Sequence, residues 1–349
     1  MINLLDLTYD ELEAFVVEDL KQPRFRVDQL FQWLWQKGVR DFSDMTNMGK
    51  ALREKMAGIA TITWPGIAKV QESRDGTVKL LLRLHDGKLI ETVLIPFKDR
   101  FSQCLSTQVG CAMGCKFCNT GLLGFERNLT MGEILGQVLV GRKFLLDKGV
   151  GGPDGPSPIR NLVYMGMGEP LLNLDNLLRS LETLPRENGL SISWRRSMVS
   201  TVGFPEQLRI LGKTELALPA ISLHAPTQEL RAQIMPKAAR VPLDELMQCL
   251  AEFPLRPRER ITFEYLLLGG VNDSLNHADQ LAKLVDKNRV KVNLIAYNAT
   301  EGMPFSAPDR DQVEAFEKRL WHHGVTAFIR RSMGADIKAA CGQLKADEQ

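Results

Sequence analysis

Gln108-Val-Gly-Cys111-Ala-Met-Gly-Cys115-Lys-Phe-Cys118-Asn-Thr-Gly121 carries three cysteines at spacings of four and three. Glycines at 110, 114 and 121 mark it as a loop, in which three thiolates can converge on one inorganic centre. A structural zinc site normally takes four protein ligands, and Cys104 is at hand as the fourth. A [4Fe–4S] cluster has four irons, so three cysteines leave one iron open to another ligand, whereas four make a closed electron-transfer cluster.

Outward from this loop, short strand-like runs alternate with helical patterns. The strands are expected at Cys104–Gln108, Leu162–Met165, Ser197–Val202, Ala217–Leu223, Thr262–Leu267, Lys291–Ala296 and Ala327–Arg330. Amphipathic helices are expected at Thr130–Leu146, Leu174–Leu184, Leu243–Phe253, Leu275–Lys287 and Gln312–His322. Such βαβ units surround a parallel sheet. The fold class is therefore α/β, a complete or partial barrel with its chemistry at the C-terminal ends of the strands. Over Gly76–Pro96 the period changes to two, with Val78, Leu80 and Leu82 alternating with Lys79, Leu81 and Arg83, an Asp86-Gly87 turn, and a second run from Leu89 to Ile95. That is a β-hairpin. Upstream, Thr8 precedes Leu12 and Phe15, and Val27, Leu30, Phe31 and Leu34 share a face, which predicts helices. The chain divides into a helical accessory domain (1–75), a linking hairpin (76–96), a barrel (97–336) and a C-terminal segment (337–349).

The 349 residues are 44% hydrophobic and 25% charged, which excludes a disordered or fibrous chain. No run reaches ~18–20 apolar residues, so no membrane-spanning helix is expected. Met1-Ile-Asn-Leu-Leu-Asp6 lacks the basic start of a signal peptide. A cytoplasmic protein is expected, in which clustered cysteines bind metal or do chemistry. The net charge of +2 gives no broad nucleic-acid footprint. Local basic clusters at Arg195-Arg196, at Arg256, Arg258 and Arg260, and at Arg330-Arg331 read either as phosphate contacts or as solvated faces.

Polar residues recur at strand ends. In Met165-Gly-Met-Gly-Glu-Pro170 the glycines let a ligand approach the backbone and Glu169 can accept from an ammonium, although a simple Gly-Pro turn explains the motif equally well. Ser200, Ser222-Leu223-His224 and Asn298 end later strands. By composition alone, Cys341 and Cys249 read as small buried hydrophobes. Glu91 shares a strand face with Leu89, Val93 and Ile95. Buried there it suits proton transfer; on an edge strand it meets solvent.

Together these segments resemble the RlmN/Cfr family of radical SAM RNA methyltransferases along almost the entire chain. The resemblance rests on the helical N-terminus, Ile90-Glu-Thr-Val93, Gln108 to Cys118, Gly124-Phe-Glu-Arg-Asn-Leu129, Gly166-Met-Gly-Glu-Pro170, Ser222-Leu-His-Ala225 and Ala340-Cys-Gly-Gln-Leu344. It implies a partial barrel of the radical SAM type, with a [4Fe–4S] cluster on Cys111, Cys115 and Cys118. It also implies that S-adenosylmethionine is contacted by Gly168, Glu169, Ser200, Ser222, Leu223, His224 and Asn298, with two molecules consumed per methylation. Cys341 is then the methyl carrier, Cys104 its partner in a transient disulfide, and Glu91 the proton acceptor. Gln108–Ala112, Gly124–Leu129 and Pro170 resemble the branch that modifies adenine C2 rather than C8. The implied substrates are the peptidyl-transferase adenosine of 23S rRNA and the adenosine 3′ of the tRNA anticodon. RNA contact by the helical domain, an electron donor such as flavodoxin or ferredoxin, and a monomeric state are implied as well. One departure is Ala299-Thr300 after Asn298, where the family often has proline.

Overall fold

The computed structural model describes residues 1–152, 155–299 and 302–346. Ten strands make one sheet: β1 (Gly66–Glu72), β2 (Val78–Arg83), β3 (Leu89–Phe97), β4 (Arg100–Cys104), β5 (Ile159–Tyr164), β6 (Ser197–Thr201), β7 (Leu218–Ser222), β8 (Ile261–Leu267), β9 (Val290–Ala296) and β10 (Ala327–Arg330). Each lies beside its predecessor in sequence. The first four are mutually antiparallel, and every pair from β4 to β10 is parallel. Among the described residues β10 does not pair back to β1, so the parallel part is an open, partial barrel.

Parallel neighbours need long crossovers. Helices supply them: α1 (Met131–Asp147) after β4, α2 (Leu174–Thr183) after β5, α3 (Pro205–Thr214) after β6, α4 (Gln228–Ile234) and α5 (Leu243–Glu252) after β7, α6 (Leu275–Leu284) after β8, and α7 (Arg310–His322) after β9. β8 is buried along its whole length, as expected of a parallel strand covered on both faces. Two elements were not legible beforehand, α3 and α4. The strand expected over Cys104–Gln108 is instead β4, ending at Cys104, followed by a separate short pairing of Gln108–Gly110 with Phe125–Asn128.

The N-terminal helices end at Ile59, in line with a helical pattern expected to about residue 60, and the rest of the accessory region drawn to 75 includes a strand, Gly66–Glu72, which is β1. As an edge strand with half-exposed and exposed residues, β1 has no apolar face to announce it. A Thr8–Glu11 capping box starts the first helix, and Leu12, Val27, Leu30, Phe31, Leu34 and Trp35 are buried beneath the helices. The appendage docks on α1, whose Gly132 N–H donates to Asp6 Oδ1 at 2.9 Å. Gly136 leaves room for Pro65, whose Cδ lies 2.7 Å from where a Cβ would stand.

After β4 the chain leaves the sheet while still buried, and its backbone groups find protein partners. The Leu105 and Thr107 N–H groups donate to Val163 O and Met167 O, and Leu105 O accepts from Gly166 N–H. Gln137 on α1 accepts from Ser106 N–H at 2.9 Å and donates to Ser106 O at 2.8 Å. Ser106 Oγ donates to Glu91 O and accepts from Met167 N–H. Replacing Gln137 by Leu strands both main-chain groups of Ser106. At roughly 1–3 kcal/mol per buried unsatisfied group, urea unfolding of Gln137→Leu is expected to show a loss of about 2–5 kcal/mol.

Candidate active site

The cysteine loop begins where β4 is tied down. Gly110 adopts φ +72°, and a Cβ there would lie 1.9 Å from Gly124 O. Cys111 N–H donates to that same carbonyl at 2.7 Å. Cys118 N–H donates to Cys115 O at 3.1 Å, and Lys116 N–H to Ile234 O at the end of α4, at 3.0 Å. The loop is thus folded on itself and pinned to the barrel wall.

Cys111 and Cys115 each interact electrostatically with the other loop cysteines. Yet among the described residues no three His, Cys, Asp or Glu side chains stand close enough for one metal ion. Cys104 does not complete a zinc set, since the thiol it interacts with is Cys341. Burial pushes all three loop thiols up, and a metal bound there would displace their protons. The donor set therefore fits a cluster on Cys111, Cys115 and Cys118.

Glu169 bridges two strand ends: its carboxylate accepts from Leu171 N–H at 3.1 Å and Val202 N–H at 2.9 Å. Burial raises its pKa to about 7, opposed by the Val202 N–H. Neither of the glycines before it leaves room for a side chain. A Cβ on Gly166 would meet Leu105 O and Ser106 Oγ at 2.7 Å, and one on Gly168 would meet the Gln108 side chain at 2.6 Å. Ser200 and Ser222 end adjacent strands with their hydroxyls 3.2 Å apart. Leu223 is fully buried. His224 adopts φ +56° and its Nδ1 accepts from Leu266 N–H at 3.0 Å, which assigns the ring proton to Nε2. Burial pushes its pKa down to about 3, so the ring is neutral, standing edge-on to Phe117 of the cysteine loop. Asn298 donates to Ser332 Oγ at 2.9 Å. Thr300, part of the departure noted after Asn298, lies outside the described residues.

Cys341 is exposed within the C-terminal segment, not buried as composition suggested, whereas Cys249 is buried. Although open to solvent, Cys341 is walled by protein, and its pKa rises to about 11 through loss of hydration, with Glu264 and Cys118 adding like charge. Asn119 and Thr120, next to Cys118, hold the segment through Asn119 N–H to Gly342 O at 2.8 Å and Thr120 Oγ1 to Leu344 O at 2.7 Å. At its start Gly334 N–H donates to Asp75 Oδ2 and Ser73 Oγ to Asp336 Oδ1.

The segment also covers the hairpin, which decides the two readings of Glu91. It is buried, with a counter-ion: Lys79 Nζ lies 2.9 Å from Oε1, and the Lys345 and Ala346 N–H groups donate to Oε2 at 2.8 and 3.2 Å. Lys79 also donates to Lys338 O at 3.2 Å. The face of β2 that alternation marks as polar is therefore interior. Sequence reasoning missed Lys79, and likewise Glu264, a buried strand carboxylate that accepts from Asn293 Nδ2.

Two of the basic clusters meet at Trp194, whose ring is flanked by Arg195 at 4.8 Å and Arg256 at 3.9 Å. Arg196 lines a cavity of about 510 Å³ with Arg100, Arg142 and Arg160. That cavity lies by the N-terminal ends of β4, β5 and β6, at the opposite end of the sheet from the cysteines.

Residues 2–62 match the model of the ribosomal RNA large subunit methyltransferase N-terminal domain, and residues 105–285 that of the radical SAM superfamily. A dual-specificity RNA methyltransferase RlmN from Nitratidesulfovibrio vulgaris (strain DSM 19637 / Miyazaki F) is 60% identical, over 100% of this chain and 95% of its own length. One from Lawsonia intracellularis is 51% identical, over 99% and 97%. A crystal structure of a radical SAM methyltransferase from Sphaerobacter thermophilus superposes with a TM-score of 0.92 at 38% identity, covering 99% of this chain and 100% of that one.

Two outcomes are expected. Lys79→Met leaves the Glu91 carboxylate buried and unpaired, so urea unfolding should show a loss of about 3–5 kcal/mol, much of it recovered in the Lys79→Met/Glu91→Gln double variant. In cluster-free protein, the folded-state pKa of Glu169 near 7 lies above the ordinary 4.5, so the folded state holds the extra proton. Its stabilising contribution is full below pH 4.5 and falls, by about 3 kcal/mol, as the pH rises to 7. Thermal unfolding across that window should be flatter in Glu169→Gln than in the parent.

Proposed function

The chain belongs to the RlmN family of radical SAM RNA methyltransferases, and from that membership we propose that it methylates adenosine at C2. The substrates are the peptidyl-transferase adenosine of 23S rRNA and the adenosine 3′ of the tRNA anticodon. The observation that carries this reading is the docking of the Cys341 segment on Asn119 and Thr120. A radical enzyme acting on a small molecule has no need of a second cysteine delivered to its cluster loop.

Adenine C2 is electrophilic and bears hydrogen, so it cannot attack a sulfonium methyl. Cys111, Cys115 and Cys118 would hold a [4Fe–4S] cluster, and the chemistry it would supply is the one-electron reductive cleavage of S-adenosylmethionine to a 5′-deoxyadenosyl radical. The protein's own residues do the remainder. Glu169 accepts from the cofactor's ammonium, which favours its charged form against the burial that raises its pKa. Gly168, Ser200, Ser222, Leu223, His224 and Asn298 line the cofactor's remaining surface at the strand ends. Cys341 Sγ takes a methyl from one cofactor molecule, breaking its sulfonium–methyl bond, and presents that methyl for hydrogen abstraction. Once the carbon is joined to C2, the adduct carries an unpaired electron; Glu91 takes the C2 proton as that electron is given up, and the oxidised cluster would be its acceptor. The Cys104 thiolate then attacks Cys341 Sγ: an S–S bond forms, and the S–C bond breaks with its electron pair left on carbon. That carbon takes up a proton to complete the methyl group, leaving a Cys104–Cys341 disulfide for an external reductant. The target base must be extruded from its stack to reach this site.

The helical domain contacts the RNA, and a low-potential donor such as flavodoxin or ferredoxin delivers the electron. The enzyme works as a monomer in the cytoplasm. Among the described residues no helix is long and apolar enough to cross a membrane.

Peptide mass mapping should find Cys341 methylated in the isolated protein. Cys341→Ala should retain iron, sulfide and cofactor cleavage while 2-methyladenosine, assayed by nucleoside mass spectrometry of rRNA and tRNA, falls to background. Normal yield of 2-methyladenosine from Cys341→Ala would sink the mechanism.

A further inference from the structure

We propose that Arg231 is the built-in counter-charge of the cluster: a guanidinium sealed in the wall behind Cys115 that favours the reduced, more anionic state. This rests on the reading that Cys111, Cys115 and Cys118 hold a [4Fe–4S] cluster.

Arg231, on α4, is 0% exposed. Its Nη2 donates to Val202 O, while Nε and Nη1 are buried with no hydrogen-bond partner. Among the described residues no carboxylate forms an ion pair with it; the Glu169 carboxylate accepts instead from the N–H of Val202, the residue whose carbonyl oxygen Arg231 uses. The ionisable groups it interacts with are Cys115 and the neutral His224.

A guanidinium cannot escape this position by losing its proton under ordinary conditions. An unpaired charge in the interior is strongly unfavourable, so a negative group is required beside it. α4 reaches the cysteine loop directly, Ile234 O accepting from Lys116 N–H at 3.0 Å. Leu230, Ile234 and Met235 pack in one apolar cluster with Cys115 and Phe117. Water is therefore a poor substitute on this side. Three thiolates on a cubane carry net negative charge that grows by one when an electron is added. A fixed cation across dry protein stabilises that added charge and raises the reduction potential.

The test uses Arg231→Gln, Arg231→Met and Arg231→Lys as holoproteins with iron and sulfide counted. Reduction is followed by electron paramagnetic resonance in a dithionite titration without S-adenosylmethionine, and cofactor affinity is measured separately. Gln and Met should disfavour the reduced cluster at least tenfold, which for one electron is about 59 mV toward more negative potential. Lys should keep most of the parent's value. Cluster uptake lost in Gln and Met but kept in Lys supports the proposal equally. A parent-like potential in Arg231→Gln at full iron content overturns it, as does an equal shift or equal loss of uptake in all three variants. Weakened cofactor binding with unchanged potential also overturns it, and assigns the cation to the cofactor's carboxylate. Absence of a four-iron cluster in the parent protein is a separate result, and refutes the reading of the cysteine loop itself.

Discussion

A main chain that leaves a sheet inside the protein must satisfy its polar groups without water. Residues 105–107 face that demand, and the solution places most of the site. Gln137 reaches from α1 to pair both main-chain groups of Ser106, and Asn173 spans Thr107 O and Leu129 O at 2.9 and 2.7 Å. Because Gly166 and Met167 supply further partners, the loop after β5 is drawn against the loop after β4. Glu169 is thereby fixed beside the cysteines, and Gln108 Oε1 takes its N–H at 2.8 Å. The conformation of the cysteine loop is inherited from this buried lattice.

A second layer is built by charge. The hairpin strands β2 and β3 present Lys79 and Glu91 on one face, which by themselves would favour solvent. The C-terminal segment covers that face, and the two charges compensate each other while taking up main-chain groups at Lys338, Lys345 and Ala346. A buried ion pair adds little to stability relative to apolar packing, but each member makes the other indispensable. The hairpin is thus a platform for the segment that carries Cys341, in addition to a connection between helices and barrel.

The barrel was legible because βαβ units repeat their hydrophobic periods locally, and each expected strand from Leu162 onward has both ends within three residues of an observed one. α4 escaped notice because seven residues are under two turns, too few to establish a period. The cysteine ligands were visible through spacing, and Glu169, His224 and Cys341 through resemblance. The surroundings of Glu91 were not, since Lys345 is 254 residues away and no local pattern encodes so distant a partner. Gly168 shows the complementary limit. A glycine signals close approach, but that the Gln108 side chain is one of the approaching groups is set by tertiary packing and not by any local pattern.

The C-terminal segment is gripped chiefly through its backbone, by way of Lys338 O, Gly342 O, Gln343 O, Leu344 O and the N–H groups of Lys345 and Ala346. None of these contacts involves the sulfur of Cys341. In thermodynamic terms the segment is a tethered peptide ligand, whose effective concentration at its own groove is set by the chain joining it to β10 rather than by dilution. Its docking rests on groups other than the sulfur, so a change at the sulfur by itself breaks none of these contacts.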